Sequence, residues 1–233
     1  MEKYYKNITL FFTAILSIVI IGFFKTYFGQ FPTFSKVTSI QHIHGLLFLL
    51  WFIMLVVQPI LISKRKYKWH VIIGKASYFL VPLIVISTFF IAKELYDKGN
   101  DLPESRRISS LYVPFYQITD FVVLYLLAIY YKNKVSSHMR YMIATSLAIY
   151  GAALKRLLIN YMNMKAIDAF LYTFIITDLI LLCLIVYDWY NGKLFKSYVI
   201  SLVILVLSQL GFFFLRNTSL WQNVFGKFVH LFW

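Results

Sequence analysis

The chain has 233 residues, of which 61% are hydrophobic and 14% charged, and a formal net charge of +14. A soluble globular surface needs roughly 25% charged residues, so this composition excludes an ordinary soluble domain and marks an integral membrane protein. The lysines and arginines gather at the ends of apolar runs rather than on a soluble module. That placement suits topology and anionic lipid headgroups and argues against nucleic-acid binding.

Seven apolar runs recur, each long enough to cross a hydrocarbon layer of ~30 Å. Backbone polar groups cannot stay unpaired in lipid, so each run is expected to be a helix. The expected fold class is all-α, a polytopic bundle of about seven membrane-spanning helices forming one integral membrane domain.

The first run, Ile8 to Phe24, follows Lys3 and Lys6 as the apolar core of a signal peptide would. It is too long for one and no small-x-small cleavage pattern follows, so a retained span is expected. The second, Ser39 to Ile62, opens with His42 and His44. Two residues apart on a helix, they project about 200° apart and cannot ligate one ion together. From His44, Trp51 and Gln58 follow at intervals of seven, within roughly 40° of one line down the helix. This stripe, flanked by Gln41, is expected to face the bundle, with His42 turned to a neighbour or the interface. Pro59, and Pro82 in the third span, are sites where the helices can kink. The basic loop Lys64 to Lys68 is short, which is where the positive-inside rule has force, and it favours an inside N-terminus.

The third span, Val71 to Ala92, is preceded by His70. The fourth, Ser109 to Tyr131, carries Asp120 near its middle, with Tyr112 and Tyr116 on the same face at intervals of four. The fifth, Met139 to Ile159, is preceded by His138 and holds Lys155 and Arg156. His138 and Arg156 are five full turns apart, so a straight helix puts them on one inward face at opposite ends of the membrane. Lys155, about 100° round, is expected to reach the headgroups. The sixth span, Ala166 to Tyr187, holds Asp178 and the single cysteine, Cys183, so there is no disulfide framework and no cysteine metal motif. The seventh is Tyr198 to Leu215. The remaining tail, 217–233, is too short to cross and is expected to lie in the interface or against the bundle.

Three function classes remain. His70 and His138 open their spans from the same end, at similar depth, where a helix N-terminus favours the neutral imidazole that ligates metal. Such a pair across a bundle can hold a b-type heme or another metal, with a lipid quinone as electron partner. Midplane Asp120 and Asp178 must be neutral, paired or next to water, which points instead to proton- or ion-coupled transport. A non-catalytic assembly protein, docking a membrane partner or a second copy, needs none of these groups to react. Arg156 must snorkel or pair, because an arginine in hydrocarbon costs several kcal/mol. No catalytic arrangement for hydrolysis is recognisable.

The segments HGLLFLLWFIMLVVQPILI, KWHVIIGK and SHMRYMIATSLAIYGAALKR resemble the pattern of uncharacterised bacterial multispan membrane proteins. The resemblance covers roughly residues 40–160 and singles out His44, Trp51, Gln58, His70, Gly74, His138, Arg140, Met142 and Arg156. It implies a bacterial inner membrane. More distantly, the chain is similar to four-helix membrane cytochromes of the b type, which implies heme b on histidines, here His70 and His138 with His44 as a further cofactor candidate. It departs from a diheme scheme, since His42 and His44 share one helix and no other span offers a histidine on their side.

Overall fold

The structure is a computed structural model and describes residues 2–192 and 196–233, with side chains from Asn7 onward; the side chains of Lys3 and Lys6 lie outside the described residues. Its regular elements are helical: α1 (Glu2–Phe24), α2 (Ser39–Ser63), α3 (Tyr67–Lys98), α4 (Glu104–Ser110), α5 (Tyr112–Tyr130), α6 (Val135–Ile149), α7 (Gly151–Met162), α8 (Ala166–Tyr190), α9 (Lys196–Phe214) and α10 (Ser219–Phe232), with one short 3-10 turn at Phe28–Gln30. Six helices, counting α4 and α5 as one, are long and apolar enough to cross a membrane. The α6–α7 pair, bent by 41°, makes a broken seventh.

The chain is thus an all-α integral membrane bundle, and the third and sixth spans extend beyond their expected bounds. The third helix begins at Tyr67 and ends at Lys98, beyond 71–92, and the sixth runs to Tyr190 rather than Tyr187. Aromatic and charged residues that leave the hydrocarbon still keep their backbone hydrogen bonds, so the helix outlasts its apolar stretch.

Helix α6 is the axis of the bundle. Arg140, Tyr141 and every residue from Ile143 to Ile149 are buried. Around it α1, α2, α3, α5, α9, α8 and α7 each pack on the next, and α7 returns to α1. Lipid supplies no hydrophobic drive for this, so close approach matters, and Ala144, Ser146 and Ala148 permit it. The Thr145 and Ser146 hydroxyls donate within their own helix, to the carbonyls of Met142 and Ile143. At the α1–α7 crossing Gly22 lies directly against the Ala153 carbonyl, where a Cβ has no room.

The loops after α2, α5 and α8 define the first end of the bundle, and those after α1, α3, α7 and α9 the second end. At the second end Thr38 caps α2 in a reciprocal box with Gln41. The tail forms α10 and packs on the bundle: Trp221 Nε1 donates to the Ile108 carbonyl at 3.1 Å, and Phe225 and Phe228 meet Phe115. Its Leu220, Val224 and Leu231 remain exposed.

Candidate functional site

A cavity of about 1190 Å³ opens at the second end. Its walls come from the end of α1, the start of α2, the end of α3, α4 with the start of α5, α7 and the end of α9; Gln222 of α10 closes one side. Along α2 the lining runs from Gln41 to Phe52, which is ~16 Å of helix, about half the hydrocarbon depth. The deep part is apolar, with Val19, Phe23, Phe48, Phe52 and Ile149, whereas the rim residues Thr26, Lys98, Arg106 and Asn217 are exposed.

Three cations line the space between rim and floor. The Lys155 Nζ sits 4.0 Å from the centre of the Phe170 ring, the Arg156 guanidinium 4.6 Å from Phe23, and the Arg216 guanidinium 3.9 Å from Phe212. Arg156 Nη1 also donates to the Ala152 carbonyl of its own helix at 3.2 Å, while Arg216 Nε is buried with no hydrogen-bond partner. Among the described residues none of the three pairs with a carboxylate. Burial pushes the Arg216 guanidinium down from its ordinary value. The carboxylate in the lining, Glu94, is taken: Thr38 Oγ1 donates to it at 2.9 Å, Gln41 Nε2 at 2.6 Å, and Lys98 pairs with it. The cavity is therefore strongly positive.

His44 lines the same cavity and lies within electrostatic reach of Arg156. The Ser87 hydroxyl donates to the Ile84 carbonyl at 2.9 Å, which leaves it placed to accept from His44 Nδ1, 3.1 Å away. Inferred from that network, the proton is on Nδ1 and Nε2 is the acceptor. His42 turns the other way, to the Tyr27 hydroxyl at 3.0 Å, so the two histidines do separate.

Lys155 is a correction, since it enters the bundle rather than reaching for headgroups. Lys155 and Arg156 both belong to α7, and the cavity wall takes residues about 100° apart, with the Phe170 ring beneath the Lys155 ammonium. His138 lies in α6 and Arg156 in α7, on the two sides of the 41° bend. The break falls at Tyr150, and at the next residue, Gly151, a Cβ would press within 3.2 Å of the Thr173 methyl.

The other residues singled out in the sequence are scattered. Trp51 is fully buried in the core, edge-on to Phe121 and near Tyr125, and its Nε1 has no hydrogen-bond partner. Gln58 lies at the first end, donating from Nε2 to the His70 carbonyl at 3.3 Å beside Gly74, with its Oε1 buried and unpartnered. The His44–Trp51–Gln58 stripe faces inward but serves three separate places. His138 Nδ1 donates to the Ala128 carbonyl at 2.8 Å, and His70 Nδ1 is buried without a partner.

Asp120 accepts from Ser208 Oγ at 2.7 Å, and Asp178 from Gln209 Nε2 at 3.0 Å. Consecutive residues of α9 thus serve both carboxylates, and neither aspartate lines the cavity. The Tyr112 phenol passes over Gly211 to donate to the Ser208 carbonyl rather than to Asp120. No group of three or more His, Cys, Asp or Glu that could hold a metal ion occurs among the described residues.

Sequence reasoning missed one strong feature. Arg140 binds Asp188 through two parallel hydrogen bonds, Nε to Oδ2 at 2.7 Å and Nη2 to Oδ1 at 2.6 Å. Both side chains are buried. The available signal was that the start of the fifth span and the end of the sixth share an end of the bundle.

No family model matches this chain, and no curated protein or solved structure matches it either.

Proposed function

We propose that this integral membrane protein binds an anionic ligand in the cavity at its second end. The observation that supports this most is the convergence of Lys155, Arg156 and Arg216 on one space, each resting on an aromatic ring and none on a carboxylate. A ring face holds a cation with ~0.5–2 kcal/mol but does not cancel its charge. The three cations are half-buried in the cavity wall, where an arriving counter-charge would be held more strongly than in bulk water. With the N-terminus inside, as the Lys64–Lys68 loop favours, the cavity opens on the outer face of a bacterial inner membrane. Purified protein titrated with amphiphilic anions should show saturable thermal stabilisation, about 2.7 kcal/mol at a hundredfold excess over Kd, that Arg156→Gln weakens. A flat response across anions would sink the proposal.

A second reading has its own support at the first end: heme b or a transition ion on His70 and His138, with a lipid quinone as electron partner. The two rings are within electrostatic reach of each other, His70 Nδ1 lacks a partner, and the His138 bond to Ala128 leaves Nε2 as its lone-pair side. Heme would supply one-electron chemistry there. The visible spectrum of the purified protein decides it. A Soret band lost in His70→Ala and His138→Ala supports the assignment, and a colourless, metal-free protein refutes it. Transport on Asp120 and Asp178 has less support, because α9 supplies donors to both and neither reaches the cavity.

A further inference from the structure

We infer that the ligand of the second-end cavity is a phosphate-headed lipid whose head carries at least two negative charges, seated among Lys155, Arg156 and Arg216 with its chain on the apolar floor. This rests on the reading of the cavity as an anion site and adds the charge and shape of the anion.

The charge follows from what the chain leaves uncompensated. Three cations converge, and the carboxylate beside them, Glu94, is already held by Thr38, Gln41 and Lys98. A fatty-acid carboxylate would neutralise one cation and leave two. A phosphomonoester or diphosphate carries the larger charge in a group of similar size. Two of the three cations are guanidinium forks, whose parallel donors match phosphate oxygens in pairs. His44 adds what cations cannot, an acceptor at Nε2 for a phosphate or headgroup hydroxyl, because Ser87 occupies Nδ1.

The shape follows from where the polar groups stop. Below the cations the lining turns to Val19, Phe48, Phe52 and Ile149, toward the middle of the bundle. A soluble phosphate compound would leave that floor in contact with water. A lipid places its head at the end and its chain toward the midplane, as it already lies in the leaflet on that side.

The test uses the full chain in detergent micelles, with unfolding temperature followed against four probes: dioctanoyl phosphatidic acid, dioctanoyl phosphatidylcholine, decanoate and inorganic pyrophosphate. The expected result is saturable stabilisation by phosphatidic acid at a concentration at least tenfold below that of each other probe. Arg156→Gln and Arg216→Gln should each raise that concentration at least tenfold; Arg216 lies beyond the end of α9, so its variant keeps the test alive if Arg156→Gln folds poorly. Decanoate acting as well as phosphatidic acid would overturn the multiple charge while leaving an anion site. Pyrophosphate acting as well would overturn the lipid. Equal action by phosphatidylcholine would show that the chains alone bind and overturn the headgroup assignment. No response to any probe would remove the anion site together with this inference.

Discussion

The two arginines of the α6–α7 pair occupy opposite electrostatic settings. Arg140, at the first end, is 2% exposed and held bidentately by Asp188, with its Nη1 on the Ser136 carbonyl at 2.9 Å. Arg156, at the second end, has one carbonyl of its own helix, one aromatic ring and an open cavity. Two inward cations on one broken span thus carry different messages. Where the chain supplies the counter-charge, the cation ties α6 to α8; where it does not, the cation addresses something that arrives.

Breaking the closed pair should have the largest effect. Asp188→Ala removes the carboxylate that holds the Arg140 fork and should cost about 3–5 kcal/mol, measured as denaturant or thermal unfolding in micelles. An Arg140→Met/Asp188→Leu double variant should recover most of that loss, because apolar replacement of a buried pair is often neutral. If Asp188→Ala were harmless, the contrast between the two ends would collapse.

Ser208→Ala probes an intermediate case. It strips Asp120 Oδ1 of its donor while Oδ2 already has none, and should cost about 1–3 kcal/mol. Asp120→Asn should recover part of that loss in the Ser208→Ala background; if the double variant is no more stable than Ser208→Ala alone, the carboxylate is not what Ser208 serves. Thr38→Ala removes the α2 cap and a donor to Glu94 together and should lower stability by about 1 kcal/mol. No measurable change would mean that Gln41 and Lys98 hold Glu94 unaided.

The smallest stability effect belongs to the open cation. Arg156→Gln should change ligand-free unfolding by less than about 1 kcal/mol in either direction, since only a backbone contact and a ring contact are lost. Measured in ligand-free micelles, a loss comparable to that of Asp188→Ala would make Arg156 a structural residue like Arg140.

Much of the architecture was legible because hydrocarbon thickness and backbone satisfaction leave few choices. The spans and the inward His44–Trp51–Gln58 stripe follow from apolar length and helical angle alone. The opening of α2 carried a signal that the sequence reading did not use, since Thr38-Ser39-Ile40-Gln41 forms a capping box. The cavity was not legible, because its lining is drawn from many helices whose meeting no single helix's pattern encodes. Lys155 was therefore sent to the headgroups although it faces Phe170. Asp188 was lost for a simpler reason: the apolar count stops at Tyr187, whereas the helix keeps its hydrogen bonds to Tyr190 and buries Asp188 in its last turn.

The axial position of α6 also sets a clock on synthesis. Arg140 finds Asp188 only after 48 further residues have been made, which takes roughly 2–10 s at 5–20 residues per second. Through that interval a segment bearing an arginine not yet joined to Asp188 has left the ribosome before α8 and α9 exist to enclose it, and lipid alone is a poor host for it. Helix α5, joined to it by a short turn and packed along it, is the neighbour already available. In an insertion reporter, α6–α7 alone should therefore cross the membrane less often than α5–α6–α7, and equal insertion would show that the central span needs no escort.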